Sequence, residues 1–239
     1  MTDPYLKNRI ALVTGATRGI GWATSVALAK AGVHVIALGR TSEKLEELDD
    51  QIRKSGGTAT LVPLDLRDFD GIDRLGASIM ERWGKLDILI GNAAALGPLS
   101  PVGHISPAEW DQMIALNLTA NWRLIRSMDA LLKASDAGRA IFVTSGAANK
   151  TTPFWGGYGT SKIALEHIVK TWAAECGSKS SLKINLINPG PIRTAMRAKA
   201  MPGENAETLI LPSEIAPLFL KLSSPKFKEQ GQIINYLNN

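Results

Sequence analysis

The stretch "RIALVTGATRGIG", residues 9–21, joins a short apolar run to a glycine-rich turn and then to an Ala-rich segment with helical spacing. Arg9–Thr14 predicts a buried β-strand, and Ile20–Ala31 predicts a helix. The glycines of the turn are Gly15, Gly19 and Gly21. Glycine permits positive φ and lets backbone N–H groups approach a pyrophosphate at a helix N-terminus. This order of strand, glycine turn and helix predicts a dinucleotide-binding unit.

The rest of the chain repeats the alternation of apolar runs and helical segments. Further strands are predicted at His34–Leu38, Thr58–Pro63, Leu86–Asn92, Ala140–Thr144, Lys183–Asn188 and Gln232–Tyr236. Amphipathic helices are predicted over Ser42–Ser55, with Ser42 as N-cap, and over Asp70–Trp83. Short strands separated by helices are typical of a doubly wound parallel sheet with helices on both faces. We therefore expect one α/β Rossmann domain with a seven-stranded sheet over residues 1–239.

Composition and charge exclude several classes of protein. The chain has 239 residues, of which 45% are hydrophobic and 21% charged, as in globular proteins. No run reaches the roughly 18–20 apolar residues of a membrane span, and "MTDPYLKNR" at the start has no apolar signal segment. We expect a cytoplasmic protein without membrane contact. The 27 basic residues are scattered among 22 acidic ones, which favours a small anionic ligand over nucleic acid.

Cysteine and histidine provide no pattern for a metal or a disulfide framework. Cys176 is the single cysteine and lies in an apolar helical stretch, where we expect a buried hydrophobe. The three histidines, His34, His104 and His167, are too far apart in sequence to suggest a set of metal ligands. We predict no metal site.

Polar residues follow the predicted strands, at the sheet edge where parallel α/β folds bind ligands. An NAD site normally has an acidic residue after the second strand, but here Gly39 and Arg40 stand there. A guanidinium suits a 2′-phosphate, and Arg18, with Thr41 or Ser42, could reach the same group. These features favour NADP over NAD, although both arginines could instead be solvated turn residues.

Tyr158 and Lys162, in "YGTSK", are spaced to lie on one face of a helix. A lysine so placed stabilises a tyrosinate and is expected to lower the phenol pKa by roughly 1–3 units. Such a pair could exchange a proton near neutral pH. The alternative interpretation is an exposed helical pair without chemical work.

Together these motifs resemble the short-chain dehydrogenase/reductase family from Arg9 to about Asn235, in the family's order. The matching segments are "TGATRGIG", "DL" at Asp65–Leu66, "GNAA" at Gly91–Ala94, Asn117 in "ALNLTAN", Ser145, "YGTSK" and "NPGPIRT". The resemblance implies a catalytic set of Asn117, Ser145, Tyr158 and Lys162. It implies cofactor contacts at Gly15, Thr17, Arg18, Gly19, Ile20, Gly21, Arg40, Asp65, Leu66, Asn92, Ala93, Tyr158, Lys162, Pro189, Gly190, Ile192 and Thr194.

The resemblance also implies a role for each catalytic residue. Tyr158 exchanges the proton, Lys162 supports it and holds the ribose, and Ser145 binds the carbonyl oxygen. Asn117 supports a water that links Lys162 to solvent, and it also falls within an apolar helical stripe, where a buried amide needs partners. Capping for Ser145 and a satisfied core position for Asn117 are the alternatives. A second apolar row on that helix, near Trp122, favours a homodimer or homotetramer.

The chain departs from the family pattern in two places. Gly91 replaces the usual first Asn of its motif, and the terminal "INYLNN" lacks the common Gly-Gly ending. The segment around 193–211 takes the place of the substrate lid, and its Pro202–Gly203 is typical of a mobile loop. Arg193 and Arg197 suggest either an anionic or carrier-linked substrate or a solvated helix face.

The sequence thus predicts an NADP(H)-dependent oxidoreductase that interconverts a carbonyl and an alcohol on a small substrate. A ketoacyl-thioester reductase and a general carbonyl or sugar-alcohol dehydrogenase remain open within that class. A catalytically idle dinucleotide-binding regulatory protein is the alternative from another class. The substrate and the physiological direction stay open.

Overall fold

Seven parallel strands form the central sheet of the computed structural model, which describes residues 4–238. The strands are β1 Ile10–Thr14, β2 His34–Gly39, β3 Thr58–Pro63, β4 Ile88–Gly91, β5 Arg139–Val143, β6 Lys183–Asn188 and β7 Ile233–Asn235. Each predicted strand is present, and the differences are confined to strand ends. The predicted domain of 1–239 extends beyond the described residues at both termini.

The strand order is β3-β2-β1-β4-β5-β6-β7. The chain moves outward from β1 to β3, then returns across the sheet to place β4 on the other side of β1. That reversal opens a crevice at the carboxyl ends of β1 and β4, which is where doubly wound sheets bind ligands. The fold therefore confirms the predicted α/β class, and the crevice lies on the side of the sheet where the site is expected.

Eight α-helices connect or flank the strands within residues 4–238. They are α1 Gly19–Lys30, α2 Ser42–Lys54, α3 Phe69–Trp83, α4 Pro107–Ile114, α5 Ala120–Lys133, α6 Gly156–Cys176, α7 Ala195–Ala200 and α8 Pro212–Ser223. Short 3₁₀ turns occur at Pro4–Leu6, Val102–His104, Gly146–Ala148, Ala206–Thr208 and Tyr236–Asn238.

Two local predictions about helices need correction. The N-cap of α2 is Thr41, which has an extended backbone, so Ser42 is already the first helical residue. Thr41 makes no side-chain capping bond, which leaves Glu43 in the first turn as the favourable charge there. Cys176 is half-buried at the end of α6 rather than fully buried.

The alternation of side chains along the strands builds one apolar core on each face of the sheet. Val13 of β1 points to the face covered by α1, α2 and α8, where it joins Leu28, Leu48 and Phe219. Leu12 points to the opposite face, covered by α3, α5 and α6. Strands buried on both sides are what the continuous apolar runs predicted.

A one-turn π-helix, Ala115–Thr119, joins α4 to α5. It contains Asn117, which is fully buried. The helix predicted there as one regular stripe is thus interrupted at its polar residue. π turns widen a helix locally and are common at functional sites.

Gly91 on β4 leaves room for an aromatic ring from the neighbouring strand. A Cβ at position 91 would lie 2.3 Å from Cδ1 of Phe142. The Phe142 ring is fully buried and packs edge-on against Trp172, with centroids 6.5 Å apart, so it has little freedom to move. The departure from the family motif therefore reflects packing between β4 and β5.

The C-terminal residues form the β7 edge of the sheet and lie near the crevice. Asn188 Nδ2 donates to Asn235 Oδ1 over 2.9 Å, and a Cβ at Gly190 would lie 3.1 Å from Leu237 Cδ1. The "INYLNN" segment therefore packs beside the loop after β6, and its last residue, Asn239, lies outside the described residues. Across residues 4–238 no helix has the length and apolar character required to cross a membrane.

We predict that Gly91→Ala lowers the free energy of unfolding by about 1–3 kcal/mol, because the added methyl overlaps the Phe142 ring. Urea unfolding followed by circular dichroism measures the change. Gly103→Ala is the matched control, since a Cβ there meets nothing within 4 Å. In a Phe142→Leu background, Gly91→Ala should lower the free energy of unfolding less than it does in the wild type. Equal losses in the two backgrounds would contradict the packing explanation.

Candidate active site

A cleft of about 850 Å³ opens at the carboxyl edge of the sheet. Most of the residues predicted for the site line it, namely Gly15, Thr17, Arg18, Gly19, Ile20, Arg40, Asp65, Leu66, Asn92, Ala93, Ser145, Tyr158, Lys162, Pro189, Gly190, Ile192 and Thr194. Gly21 and Asn117 do not line the cleft and lie behind its wall. The structure thus brings residues that are far apart in sequence to one crevice.

The ends of β1 and β4 are tied together by side chains. Asn92 N and Ala93 N both donate to Thr14 Oγ1, over 2.9 and 3.1 Å. Asn92 Nδ2 donates to the Thr14 carbonyl over 2.9 Å. Thr14 was not predicted as a site residue. Its position at the end of the first strand is the sequence signal that could have identified it. These bonds fix the start of the glycine turn.

The glycines of the turn are required by close approach and by backbone conformation. Gly15 and Gly19 have φ of 63° and 55°, which favour glycine. A Cβ at Gly21 would lie 2.2 Å from the Gly15 carbonyl oxygen. Gly39 is equally constrained, because a Cβ there would lie 2.5 Å from Thr17 Cγ2. The first turn of α1 thus packs directly on the ends of β1 and β2.

Helix α1 begins at the floor of the cleft without side-chain capping. Its N-cap is Arg18, which makes no capping hydrogen bond, and its first turn carries no acidic residue. The first N–H groups of a helix and its dipole attract an anion. A glycine turn that closes on the strand ends and an uncapped helix start fit a bound pyrophosphate.

Charged side chains surround the end of the cleft beside β2. Arg40 is 64% exposed and its Nη1 lies 3.9 Å from Asp65 Oδ2. Asp65 is held more tightly by Arg67, whose Nη2 donates to Oδ2 over 2.6 Å. Side-chain hydrogen bonds from Arg67 lower the pKa of Asp65 to about 2. Arg67 thus compensates the Asp65 charge, and Arg40 stays free to turn toward an anion.

Further residues at this end were not predicted. Lys44 lies in the first turn of α2, also lines the cleft, and pairs with Glu47 over 2.6 Å. Its position at the start of the helix that follows Arg40 is the sequence signal that could have identified it. Ser42, named as a possible hydroxyl donor, is not among the lining residues, whereas Thr41 is.

Tyr158 and Lys162 lie one turn apart on α6, and both are buried. Lys162 Nζ donates to the Val143 carbonyl at the end of β5 over 2.8 Å. It lies 5.7 Å from the centroid of the Tyr158 ring. The alternative interpretation, an exposed helical pair without chemical work, is therefore wrong, because both side chains are buried and line the cleft.

The predicted lowering of the Tyr158 pKa is wrong for the protein alone. Burial raises the pKa of Tyr158 to about 12, and a hydrogen bond with Ser145 acts in the opposite direction. Burial likewise lowers the pKa of Lys162 to about 8, against the charge of Glu166. Desolvation of the charged form thus outweighs the opposing effects of Ser145 and Glu166, and both side chains are protonated at neutral pH.

Ser145 caps a short turn at the end of β5. Its Oγ accepts from Ala147 N over 3.2 Å and so caps the short turn Gly146–Ala148. The same hydroxyl acts on the Tyr158 phenol, whose pKa it lowers against the effect of burial. The end of β5 thereby places a polar hydroxyl beside the phenol.

Asn117 acts from behind the cleft wall. Its Oδ1 accepts from Ala95 N and its Nδ2 donates to the Ala95 carbonyl, both over 2.8 Å. The Nδ2 also donates to Ser161 Oγ over 3.0 Å, and Ser161 Oγ donates to the Tyr158 carbonyl over 2.7 Å. Its side chain therefore connects the loop after β4 to α6.

Comparison with known proteins agrees with this architecture. The family model described as short chain dehydrogenase matches residues 9–205. An uncharacterized oxidoreductase, YciK of Escherichia coli (strain K12), is 35% identical over 220 residues, covering 91% of this chain and 86% of that protein. An uncharacterized NAD-dependent oxidoreductase of Mycobacterium tuberculosis (strain CDC 1551 / Oshkosh) is 33% identical over 205 residues, covering 80% of this chain and 74% of that one.

A solved structure extends the similarity to three dimensions. A protein of Escherichia coli CFT073, named as a short chain dehydrogenase and complexed with NADPH, superposes with a TM-score of 0.91 at 34% identity, covering 98% of each chain. Its cofactor is of the class that the glycine turn and the uncapped helix fit here. The fold, the cleft and these similarities lead to one conclusion: the chain belongs to the short-chain dehydrogenase/reductase family of oxidoreductases.

Proposed function

We propose that this protein is an NADP(H)-dependent oxidoreductase that interconverts a carbonyl and an alcohol, with Tyr158 as acid and base. The observation that carries the proposal is the convergence of Ser145, Tyr158 and Lys162 on a cleft that also holds the glycine turn. A binding protein would need the turn but not the buried proton-handling group. The idle regulatory protein is therefore the weaker alternative.

The mechanism follows from the groups that line the cleft. The glycine turn and the uncapped start of α1 would hold a nicotinamide dinucleotide, which would supply a hydride to the carbonyl carbon. Ser145 donates a hydrogen bond to the carbonyl oxygen and orients it. Tyr158, whose pKa of about 12 keeps it protonated at neutral pH, donates its proton to that oxygen as negative charge develops. The Lys162 ammonium offsets the phenolate charge until Tyr158 regains a proton.

Preference for NADP rests on the charges beside β2. Arg40, Arg18 and Lys44 line this end of the cleft. No free carboxylate of the described lining residues takes the place of the ribose-binding acid, since Asp65 and Glu47 are paired with cations. A guanidinium forms charge-assisted bonds with a 2′-phosphate. The NADPH complex of the Escherichia coli CFT073 relative supports the same preference.

We extend the proposal to a homodimer or homotetramer that buries the outer faces of α5 and α6. Trp122 on α5 is 48% exposed and Ile163 on α6 is 49% exposed. Large apolar side chains on neighbouring helices are typical of protein interfaces. The partner would be a second copy of the chain.

Tyr158→Phe should lower kcat for carbonyl reduction by about 10²–10⁴-fold, because the general acid is lost. NADPH consumption with a panel of ketones, aldehydes and ketoacyl thioesters measures the rate, and coenzyme fluorescence measures NADPH binding. Binding should change little, since the glycine turn is untouched. Tyr5→Phe, far from the cleft, is the control. Normal turnover by Tyr158→Phe would refute the acid/base assignment.

Wild-type protein should prefer NADPH to NADH. Arg40→Asp should raise the KM for NADPH by roughly 10–100-fold, because one or two charge-assisted hydrogen bonds are lost. The same variant should use NADH better than the wild type. Lys54→Asp changes the charge equally at the exposed end of α2 and should leave the preference unchanged. Tighter binding of NADH than NADPH by the wild type would overturn the argument from Arg40.

A further inference from the structure

The end of the cleft beside Tyr158 is built from apolar side chains. Leu96, Met113 and Tyr158 form a small cluster separate from the two cores of the sheet. Trp155 and Met196 pack against this cluster, with Trp155 edge-on to Tyr158 at 6.0 Å between centroids. Leu96, Trp155 and Met196 also line the cleft. A substrate carbonyl at the phenol would therefore have apolar surface around its body.

Helix α7 provides the outer wall of this end. Met196 and Ala200 are four residues apart on α7 and both line the cleft, so one face of the helix points inward. The segment predicted as a mobile loop thus contains an ordered helix, capped by Thr194 Oγ1, which accepts from Arg197 N over 3.2 Å. Met196 and Ala200 thus add apolar surface to this end of the cleft, beside Arg197 of the same helix.

Of the two arginines at this end of the cleft, Arg197 is already paired with a carboxylate. Arg197 is engaged by Glu204 through two hydrogen bonds, Nε to Oε2 over 2.5 Å and Nη2 to Oε1 over 2.6 Å. These bonds lower the pKa of the Glu204 carboxyl, which keeps the pair ionised at neutral pH. Arg193 is exposed at the cleft, where a charge is solvated.

The geometry points to an uncharged, largely apolar ketone or aldehyde as the substrate, with an alkyl or aryl body between Leu96, Trp155 and Met196. This inference rests on the proposed carbonyl reduction and deepens it. Apolar pockets with few polar groups bind such bodies by excluding water. The Tyr158 and Ser145 hydroxyls supply the polar contacts, and both act on the reacting oxygen.

A matched pair of substrates tests the inference: methyl pentyl ketone and its terminal carboxylate analogue of equal chain length. The apolar ketone should have a kcat/KM at least about tenfold higher, as hydrophobic pockets discriminate by such factors. Met196→Gln should raise the KM for this ketone roughly five- to tenfold with kcat little changed. Met80→Gln, exposed on α3, is the control, and NADPH binding checks that each variant folds.

The outcomes separate this inference from the proposed function. Preference for the carboxylate or for a polyhydroxylated ketone, with NADPH consumed, would overturn the apolar class but keep the reductase. NADPH binding without consumption on any carbonyl would refute the reductase, and the substrate class with it. An unchanged KM in Met196→Gln would also overturn the assignment of the α7 wall.

Glu166 provides an independent second inference. It is buried on α6, one turn beyond Lys162. Its Oε1 accepts from Thr144 Oγ1 over 2.6 Å, and its Oε2 accepts from Asn149 Nδ2 over 3.2 Å. A buried carboxylate is costly unless donors satisfy it, and here both donors come from one short segment.

That segment carries Ser145. Thr144 immediately precedes Ser145, and Asn149 is the C-cap of the turn that Ser145 begins. The structure assigns Glu166 as a positioning residue that clamps both ends of the Ser145 turn to the helix that carries Tyr158 and Lys162. The carboxylate also adds a negative charge near the Lys162 ammonium.

The charge effect makes the role measurable by pH. Among the described residues, the titratable groups that face Lys162 are Tyr158 and Glu166, both from α6, and β5 contributes the Val143 carbonyl. Glu166 raises the pKa of Lys162 against the effect of burial. Loss of its charge therefore lets Lys162 lose its proton at lower pH. Carbonyl reduction uses the ammonium, so the fall in its rate toward alkaline pH should then begin at a lower pH.

Glu166→Gln should lower kcat about tenfold, because the Ser145 turn is displaced. The KM should change less than about twofold, and the basic limb of the kcat–pH profile should move to lower pH. Thr144→Val, which keeps the charge, should lower kcat without moving the limb. Glu175→Gln, exposed on the same helix, is the matched control. A loss of kcat in Glu166→Gln that is equal at every pH, with the basic limb unmoved, would overturn the assignment. No loss of kcat would overturn it too. NADPH binding by each variant checks that the variant folds.

Discussion

The docking of α6 on the end of β5 is the contact on which the site depends. Lys162 Nζ donates to the Val143 carbonyl over 2.8 Å, and Thr144 Oγ1 donates to Glu166 over 2.6 Å. Because these bonds join the helix to the strand within one turn of each other, they fix Tyr158 and Ser145 in one geometry. Low dielectric strengthens such bonds but penalises any partner left alone. The proton-handling groups are thus rigid before a substrate arrives.

The second constraint is the closeness of backbone at the other end of the cleft. Gly21 packs on the Gly15 carbonyl at a distance that excludes any Cβ, and Thr14 joins the end of β1 to the end of β4. The helix start is therefore held at the floor of the cleft, which Gly19 and Ile20 line. The two constraints together set the spacing between an anion-binding end and a proton-donating end.

Much of this arrangement could be predicted because it depends on local pattern. Apolar runs of strand length, the glycine turn and the order of motifs each leave a signal in consecutive residues. They predicted the sheet, its edge and nearly half of the residues that line the cleft. What the sequence did not reveal depends on contacts distant along the chain. The Phe142 ring beside Gly91, the bonds of Glu166 and the burial that raises the pKa of Tyr158 all arise only once β5 and α6 meet.

The most direct test of this account is the fate of the transferred hydrogen. NADPH deuterated at the transferring position of the nicotinamide ring, incubated with the protein and an apolar ketone, is followed by mass spectrometry of the product. The account predicts an alcohol that carries one deuterium at the former carbonyl carbon, formed in step with coenzyme oxidation. Tight NADPH binding with no deuterium in any product would contradict the claim that this cleft transfers hydride.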